Sequence, residues 1–179
     1  ADSVESNGVV HIIDGVLIPS WVTNSIAGNV VAATDLSTLR SLVVLASLDG
    51  TVSAPGELTL VAPTNAAFAK LSDDTVSFLT SNDGLDTLTA ILLYHVFPGI
   101  FVSSELITGL ALDTRQGGTV KVSVSGNAVV NGNGVFFNNA RAVEVDILAN
   151  NGVVHKIDTV LDSADGVATQ EGKGGKNRL

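Results

Sequence analysis

Apolar positions recur at helical spacing through the first two thirds of the chain and at every second residue in the last third. The helical pattern opens at Asp35, an expected N-cap, behind which Leu36, Leu39, Val43 and Ala46 form one stripe widened by Leu42. Gly50 is the expected stop, because a left-handed conformation costs glycine little. Upstream, Val22 to Ala33 reads as a linker or entry segment, and Ala54-Pro55-Gly56 as a turn. Leu58 to Val61 is a short buried strand that hands over to a helix across Asn65–Leu71, with Thr64 as its N-cap. A second short helix is expected near Thr75–Thr80, with Asp73 and Asp74 at its positive end. Gly84 to Val96 predicts a stronger one: Leu85, Leu88, Leu92 and His95 share a stripe that Pro98-Gly99 stops. Ser103 or Ser104 is expected to cap one more helical turn, Glu105 to Ile107.

From Thr119 the period becomes two. Val120, Val122 and Val124 alternate with Lys121, Ser123 and Ser125, and Ser125-Gly126-Asn127 and Asn131 to Gly134 are hairpin signals. Val135-Phe136-Phe137 leads into the longest alternating stretch. There Arg141, Val143, Val145 and Ile147 are expected on one face and Ala142, Glu144, Asp146 and Leu148 on the other. Asn150-Asn151-Gly152 is a turn, and Val153–Leu161 a closing strand. Helices first and antiparallel strands second predict an α+β fold with segregated elements.

The closing stretch has a near copy. NGVVHIIDGVL at Asn7–Leu17 and NGVVHKIDTVL at Asn151–Leu161 lie 144 residues apart, a domain's length rather than a short repeat's. Residues 1–20 therefore read as the closing segment of a preceding copy, 24–163 as one complete domain, and 164–179 as a flexible Gly/Lys tail. Trp21 is expected to be an apolar anchor between the first segment and the main body, or a crystal-packing residue, with no ligand role.

Composition narrows the function. With 45% apolar and 15% charged residues and a mean hydropathy of +0.41, the chain is rich in core-forming residues. The apolar run Ala90–Val102 is broken by His95 and Pro98-Gly99 and falls short of the roughly 20 residues of a spanning helix, so no membrane crossing is expected. A net charge of −9 disfavours nucleic acid and anionic membrane surfaces as partners. There is no cysteine for a disulfide or thiol chemistry and no Asn-x-Ser/Thr sequon. Three dispersed histidines, no H-E-x-x-H and no G-x-S-x-G elbow argue against a zinc site or a nucleophilic enzyme, so neither a cofactor nor a catalytic residue is expected.

Three blocks carry a family likeness. TLVAPTNAAFAKL at Thr59–Leu71, LLYHVFPG at Leu92–Gly99 and ILANNGVVHKIDTVL at Ile147–Leu161 resemble, in order and spacing, the signature blocks of the fasciclin-like (FAS1) domain. The resemblance covers roughly Asn24–Asp162. It implies a FAS1 fold, a wedge of small antiparallel β-sheets with a group of helices on one side. It also implies a secreted or surface-anchored, non-catalytic module of cell adhesion and matrix interaction. The first echo then resembles the end of an upstream FAS1 domain, which makes adjacent FAS1 domains or other copies the expected partners, beside a cell-surface receptor or matrix polymer. Thr64, Asn65, Phe68, Asn151, Gly152, His155 and Asp158 match structural signature positions. Tyr94 and His95 match the family's Tyr-His adhesion block. Asp146-Ile147-Leu148 matches the core of its other short integrin motif, though Glu144-Val145 departs from that motif's first two positions.

Each candidate contact has a structural reading beside it. On its apolar stripe, His95 is expected as a buried neutral imidazole bonded to a backbone carbonyl or to a hydroxyl such as that of Thr64. Tyr94 is expected as a core residue with its hydroxyl at the surface. Asp146 is either a ligand for a receptor-held metal ion or a carboxylate accepting local backbone N–H bonds. The equivalence of His11 and His155 points to one structural role held twice. A binding module for a small apolar ligand or a polysaccharide, lodged between helices and sheet, is the alternative function.

Overall fold

The computed structural model describes residues 24–125 and 134–161 in full, together with the backbone of two strands near the start. These two, β1 (Asp2–Glu5) and β2 (Gly8–His11), form an antiparallel hairpin. The helices α1 (Ile26–Ala32), α2 (Ser37–Leu45) and α3 (Asp49–Ser53) follow, then strand β3 (Leu58–Pro63). After β3 come α4 (Asn65–Phe68), α5 (Asp73–Leu79) and α6 (Leu85–Tyr94). The remaining strands are β4 (Val96–Pro98), β5 (Ala111–Asp113), β6 (Thr119–Val124), β7 (Val135–Phe137), β8 (Ala140–Ala149) and β9 (Gly152–Ile157).

Seven strands form one sheet in the order β4-β3-β9-β8-β7-β6-β5, and the fold is α+β. Every ladder in it is antiparallel except one: β3 runs parallel to β9, with Leu58 opposite Gly152 and Pro63 opposite Ile157. Both of these strands are buried on both faces, which explains why LTLVAP is an almost unbroken apolar run. Leu58, Leu60 and Ala62 face the helices, in a cluster with Ile26, Leu39 and Leu88. Val61 and Ile157 face a second cluster with Phe97, Phe137 and Leu161.

Several expectations are corrected at element ends. The segment expected as a linker contains α1, whose N-cap Ser25 accepts the Gly28 N–H at 3.1 Å. Asp35 does not cap α2. It lies in a 3-10 turn, and the Asn65 amide oxygen takes the Thr38 N–H at 2.9 Å from across the fold. The helix ends at Ala46–Ser47, where Ser47 adopts φ +54°, and Gly50 lies inside α3. Helix α6 stops at Tyr94 because Val96–Pro98 is taken by pairing with β3. Ser103–Glu105 forms a hydrogen-bonded turn and not a helix. The hairpin residues 126–133, Trp21 and the tail lie outside the described residues.

Strict alternation along β8 also fails, and the cause is local. Ala142 pairs with Ile157, Glu144 with Lys156 and Ile147 with Val154, so two extra residues are inserted into β8 relative to β9. Each bulge moves the following side chain to the other face. Ala142 joins the Phe137 cluster, whereas Glu144 meets Lys156 on the helix side. Asp146 sits in the second bulge at φ +61°.

Candidate functional site

The closing hairpin β8–β9 is tied to the rest of the fold by side chains that the sequence singled out. Asn151, in the turn, accepts the Ile26 N–H at 2.8 Å and donates to the carbonyls of Val52 and Ala54 at 3.0 and 3.1 Å. One buried amide thus joins α1, α3 and the hairpin. Gly152 follows at φ +153°, and a Cβ there would lie 1.8 Å from the Leu58 oxygen, so the approach of β3 excludes every side chain. Asp158 accepts the Arg141 N–H at 3.0 Å and faces Lys70 at 3.5 Å. Partial burial pulls its pKa up, but the Arg141 N–H, the Thr159 hydroxyl and Lys70 together hold it below the usual carboxylate value.

Thr64 and Asn65 serve the other end of β3. The Thr64 hydroxyl accepts the Ala67 N–H as the cap of α4, and the Asn65 amide nitrogen donates to Thr34 O and Ser37 Oγ. Phe68 is buried in the helix-side cluster. These residues position backbone, and none is aimed at an open surface site.

The two described histidines are locked in opposite tautomers. His95, 1% exposed, uses Nδ1–H to donate to Ile91 O at 2.7 Å, while its Nε2 accepts the Leu161 N–H at 2.9 Å. Burial lowers its pKa to about 4, against the opposing pull of the Ile91 bond. The carbonyl partner, not Thr64, is the one found. His155, fully buried, donates from Nε2 to Phe101 O at 2.7 Å and accepts the Asp146 N–H on Nδ1 at 3.3 Å. Burial lowers its pKa too, opposed by the Phe101 bond and the Asp146 charge. Tyr94 is 5% exposed, and its hydroxyl donates to Thr119 O at 2.9 Å and receives Asn138 Nδ2 at 3.5 Å. Its ring packs on Gly118, where a Cβ would come within 2.8 Å. Tyr94 and His95 therefore present no ring to solvent, and direct contact through either requires the fold to open.

Asp146 is turned inward by its bulge. Its Oδ1 accepts the Ser103 N–H at 2.7 Å, and its Oδ2 accepts the Ser103 hydroxyl. Thr59 completes this clasp by donating to Gly99 O at 2.8 Å and accepting the Phe101 N–H at 2.9 Å. Ser103, Asp146 and His155 are thus neighbours, but the serine donates to the aspartate and the histidine donates to a carbonyl. No base faces a nucleophile, so the set closes a loop over the sheet. Ile147 packs against the helix-side core, and Leu148 stands 43% exposed. Of the five candidate contacts, Leu148 alone offers a large apolar surface.

Sequence reasoning missed Thr59, Ser103 and Asn138. Thr59 had a signal, since a lone hydroxyl in a strand buried on both faces must find a partner. Among the described residues no buried side-chain polar atom lacks a partner, and no three His, Asp or Glu side chains gather as metal ligands. A cavity of ≈ 10 Å³ lies between α2, α6 and β3, lined by Leu39, Val43, Val52, Leu60, Leu92 and His95. It has room for about one water, far below the ~300 Å³ of a small-molecule site. No helix among the described residues is long and apolar enough to cross a membrane.

Comparison with known proteins agrees with this architecture. The model of the fasciclin domain matches residues 34–163. Transforming growth factor-beta-induced protein ig-h3 of Sus scrofa is 35% identical over 167 residues, covering 92% of this chain and 23% of the relative. The chain spans about a quarter of that relative's length. A second relative, protein sll1735 of Synechocystis, is 34% identical over 125 residues, 70% of this chain and 87% of its own. The solved FAS1 domain pair of the insect cell adhesion molecule Fasciclin I superposes with a TM-score of 0.71 at 20% identity, over 93% of this chain and 60% of that one. The chain belongs to the fasciclin domain family, a family of non-catalytic domains.

Proposed function

We propose that this chain is an extracellular adhesion and matrix-interaction module that works as one of several fasciclin domains in tandem. Its partners are adjacent fasciclin domains, other copies of itself, or a cell-surface receptor or matrix polymer. The observation that carries this reading is the echo of the closing hairpin at domain-length spacing, with a hairpin backbone at both ends. The likeness to ig-h3 supports it, because 167 aligned residues extend beyond the 34–163 match to a single domain. On this reading residues 1–20 close a preceding domain and 24–163 form a complete one. The early boundary is supported by Asn24, whose carbonyl accepts the Asn150 N–H at 2.9 Å.

The proposed contact is the surface of β8 around Leu148. Asp146 and Ile147 shape it from beneath, and Tyr94 and His95 contribute by holding the fold. Single contacts of this size are weak, and tandem copies raise effective concentration enough to make them useful. Aggregation of beads coated with the chain, and surface-plasmon binding to matrix polymers at high density, test the proposal. The absence of both self-association and matrix binding at high density would sink it.

A further inference from the structure

Strands β1 and β2 pair in the same register as Ile147–Ala149 with Gly152–Val154, and the two closing segments match in sequence. β1–β2 pairs Glu5 with Gly8 across two intervening residues, as β8–β9 pairs Ala149 with Gly152. Asp2 stands opposite His11 in the first hairpin, and Asp146 donates its N–H to His155 in the second. From Asn7 to Leu17 the residues repeat those of Asn151–Leu161 except at Ile12, where the second copy has Lys156, and Gly15, where it has Thr159. Yet their surroundings differ. β9 is held between β8 and β3 in the seven-stranded sheet, whereas β1 and β2 pair, among the described residues, with each other alone. A hairpin alone is marginally stable in water, and its unpaired edges are open to pairing.

We propose that the N-terminal hairpin fits the slot occupied by the β8–β9 hairpin, so that the partner suited to its open edges is the body of a fasciclin domain, including that of a second copy of this chain. The inference rests on the reading of residues 1–20 as a domain-closing segment. The slot is demanding. It needs a glycine where the Leu58 carbonyl approaches, an amide for the Ile26 N–H and the Val52 and Ala54 carbonyls, and an imidazole for Phe101 O. Gly8, Asn7 and His11 repeat these three in register, and Ile13 and Leu17 repeat the buried Ile157 and Leu161.

One position discriminates. Lys156 pairs with Asp35 at 3.1 Å and Glu144 at 2.8 Å, and the N-terminal hairpin puts Ile12 in its place. With that hairpin in the slot Asp35 loses its cation, so each domain keeps its own β8–β9 and accepts the other as a substitute. Lys156 is thus a specificity residue against exchange between copies.

The test uses the full 179-residue chain. Gly152→Val blocks the resident hairpin, Gly8→Val blocks the donor, and urea midpoints are compared for each and for both together. The expected result is an unchanged midpoint for Gly8→Val, a lowered but cooperative transition for Gly152→Val, and loss of the transition in the double variant. Ile12→Lys added to Gly152→Val should raise the midpoint. Because the chain has no cysteine, Ile12→Cys with Ala62→Cys gives a direct readout, Ala62 being opposite Lys156 in the parallel ladder. In the Gly152→Val background this pair should form a disulfide, within one chain or between two. Equal unfolding of the single and double glycine variants, with no disulfide, overturns the proposal. That failure leaves the tandem reading intact, because bead aggregation and matrix binding test the latter without any hairpin exchange.

Discussion

His95→Ala tests the role assigned to the Tyr-His block, and its effect should depend on pH. At pH 7 the substitution leaves the Leu161 N–H without its acceptor and opens a hole beneath α6, a cost of about 2–4 kcal/mol. The wild-type ring is kept neutral: burial lowers its pKa from 6.5 to about 4. The unfolded chain therefore takes up the proton first, so the stability conferred by the ring is complete above pH ~6.5 and is lost as pH falls toward 4. For a shift of that size the loss is about 2 kcal/mol by pH 5 and about 3 kcal/mol by pH 4. His155 is lowered as well, but it titrates in both proteins, so the difference between them isolates His95. The assay is equilibrium urea unfolding of wild type and variant at pH 7, 6, 5 and 4, followed by far-ultraviolet circular dichroism. The two stabilities should converge as pH falls. A difference that stays constant with pH, or a His95 ring titrating near 6.5 by NMR, would refute the argument.

Two glycines give a matched contrast. Gly152→Ala forces a Cβ onto the Leu58 carbonyl and should cost more than about 3 kcal/mol in the same unfolding assay, whereas Gly109→Ala, with φ +91° and open space around it, should cost only about 1–2 kcal/mol. Asn151→Ala leaves the Ile26 N–H and two carbonyls unpaired and should cost about 2–4 kcal/mol, with amide exchange in α1 accelerated before that of α6. An unchanged exchange rate in α1 would mean that the amide is not what holds that helix.

What was legible in the sequence followed from short-range physics. Thr64 as a cap, Asn151-Gly152 as a turn and the burial of His95 all follow from residues whose local geometry is restrictive. The same residues lie in the three blocks that carry the family likeness: the Asn151 amide, Gly152 and the His95 and His155 imidazoles each meet restrictive packing or buried backbone partners. Long-range effects were not legible. Asn65 caps α2 from across the fold, so the pattern around Asp35 pointed to the wrong cap. Helix α1 is a short segment stabilised by Asn151, a residue 125 positions away from Ile26, and its own sequence reads as a linker. The bulges in β8 are set by pairing with β9, and they reversed the facing of Glu144 relative to Ala142. The parallel β3–β9 ladder had a signal in LTLVA, apolar but for Thr59, which an antiparallel strand with one wet face would not show.

On the proposed function, adhesion is carried by the exposed surface of β8, and the buried Tyr-His block acts only through the fold. Leu148→Asp tests this, because the side chain is 43% exposed and losing its covered part should cost only about 1–2 kcal/mol, with the chain still folded. Beads coated with wild-type chain should aggregate or bind matrix polymer, and beads coated at equal density with the variant should do so several-fold less, under conditions where urea unfolding shows both to be folded. Undiminished aggregation and binding by the Leu148→Asp variant would contradict the claim.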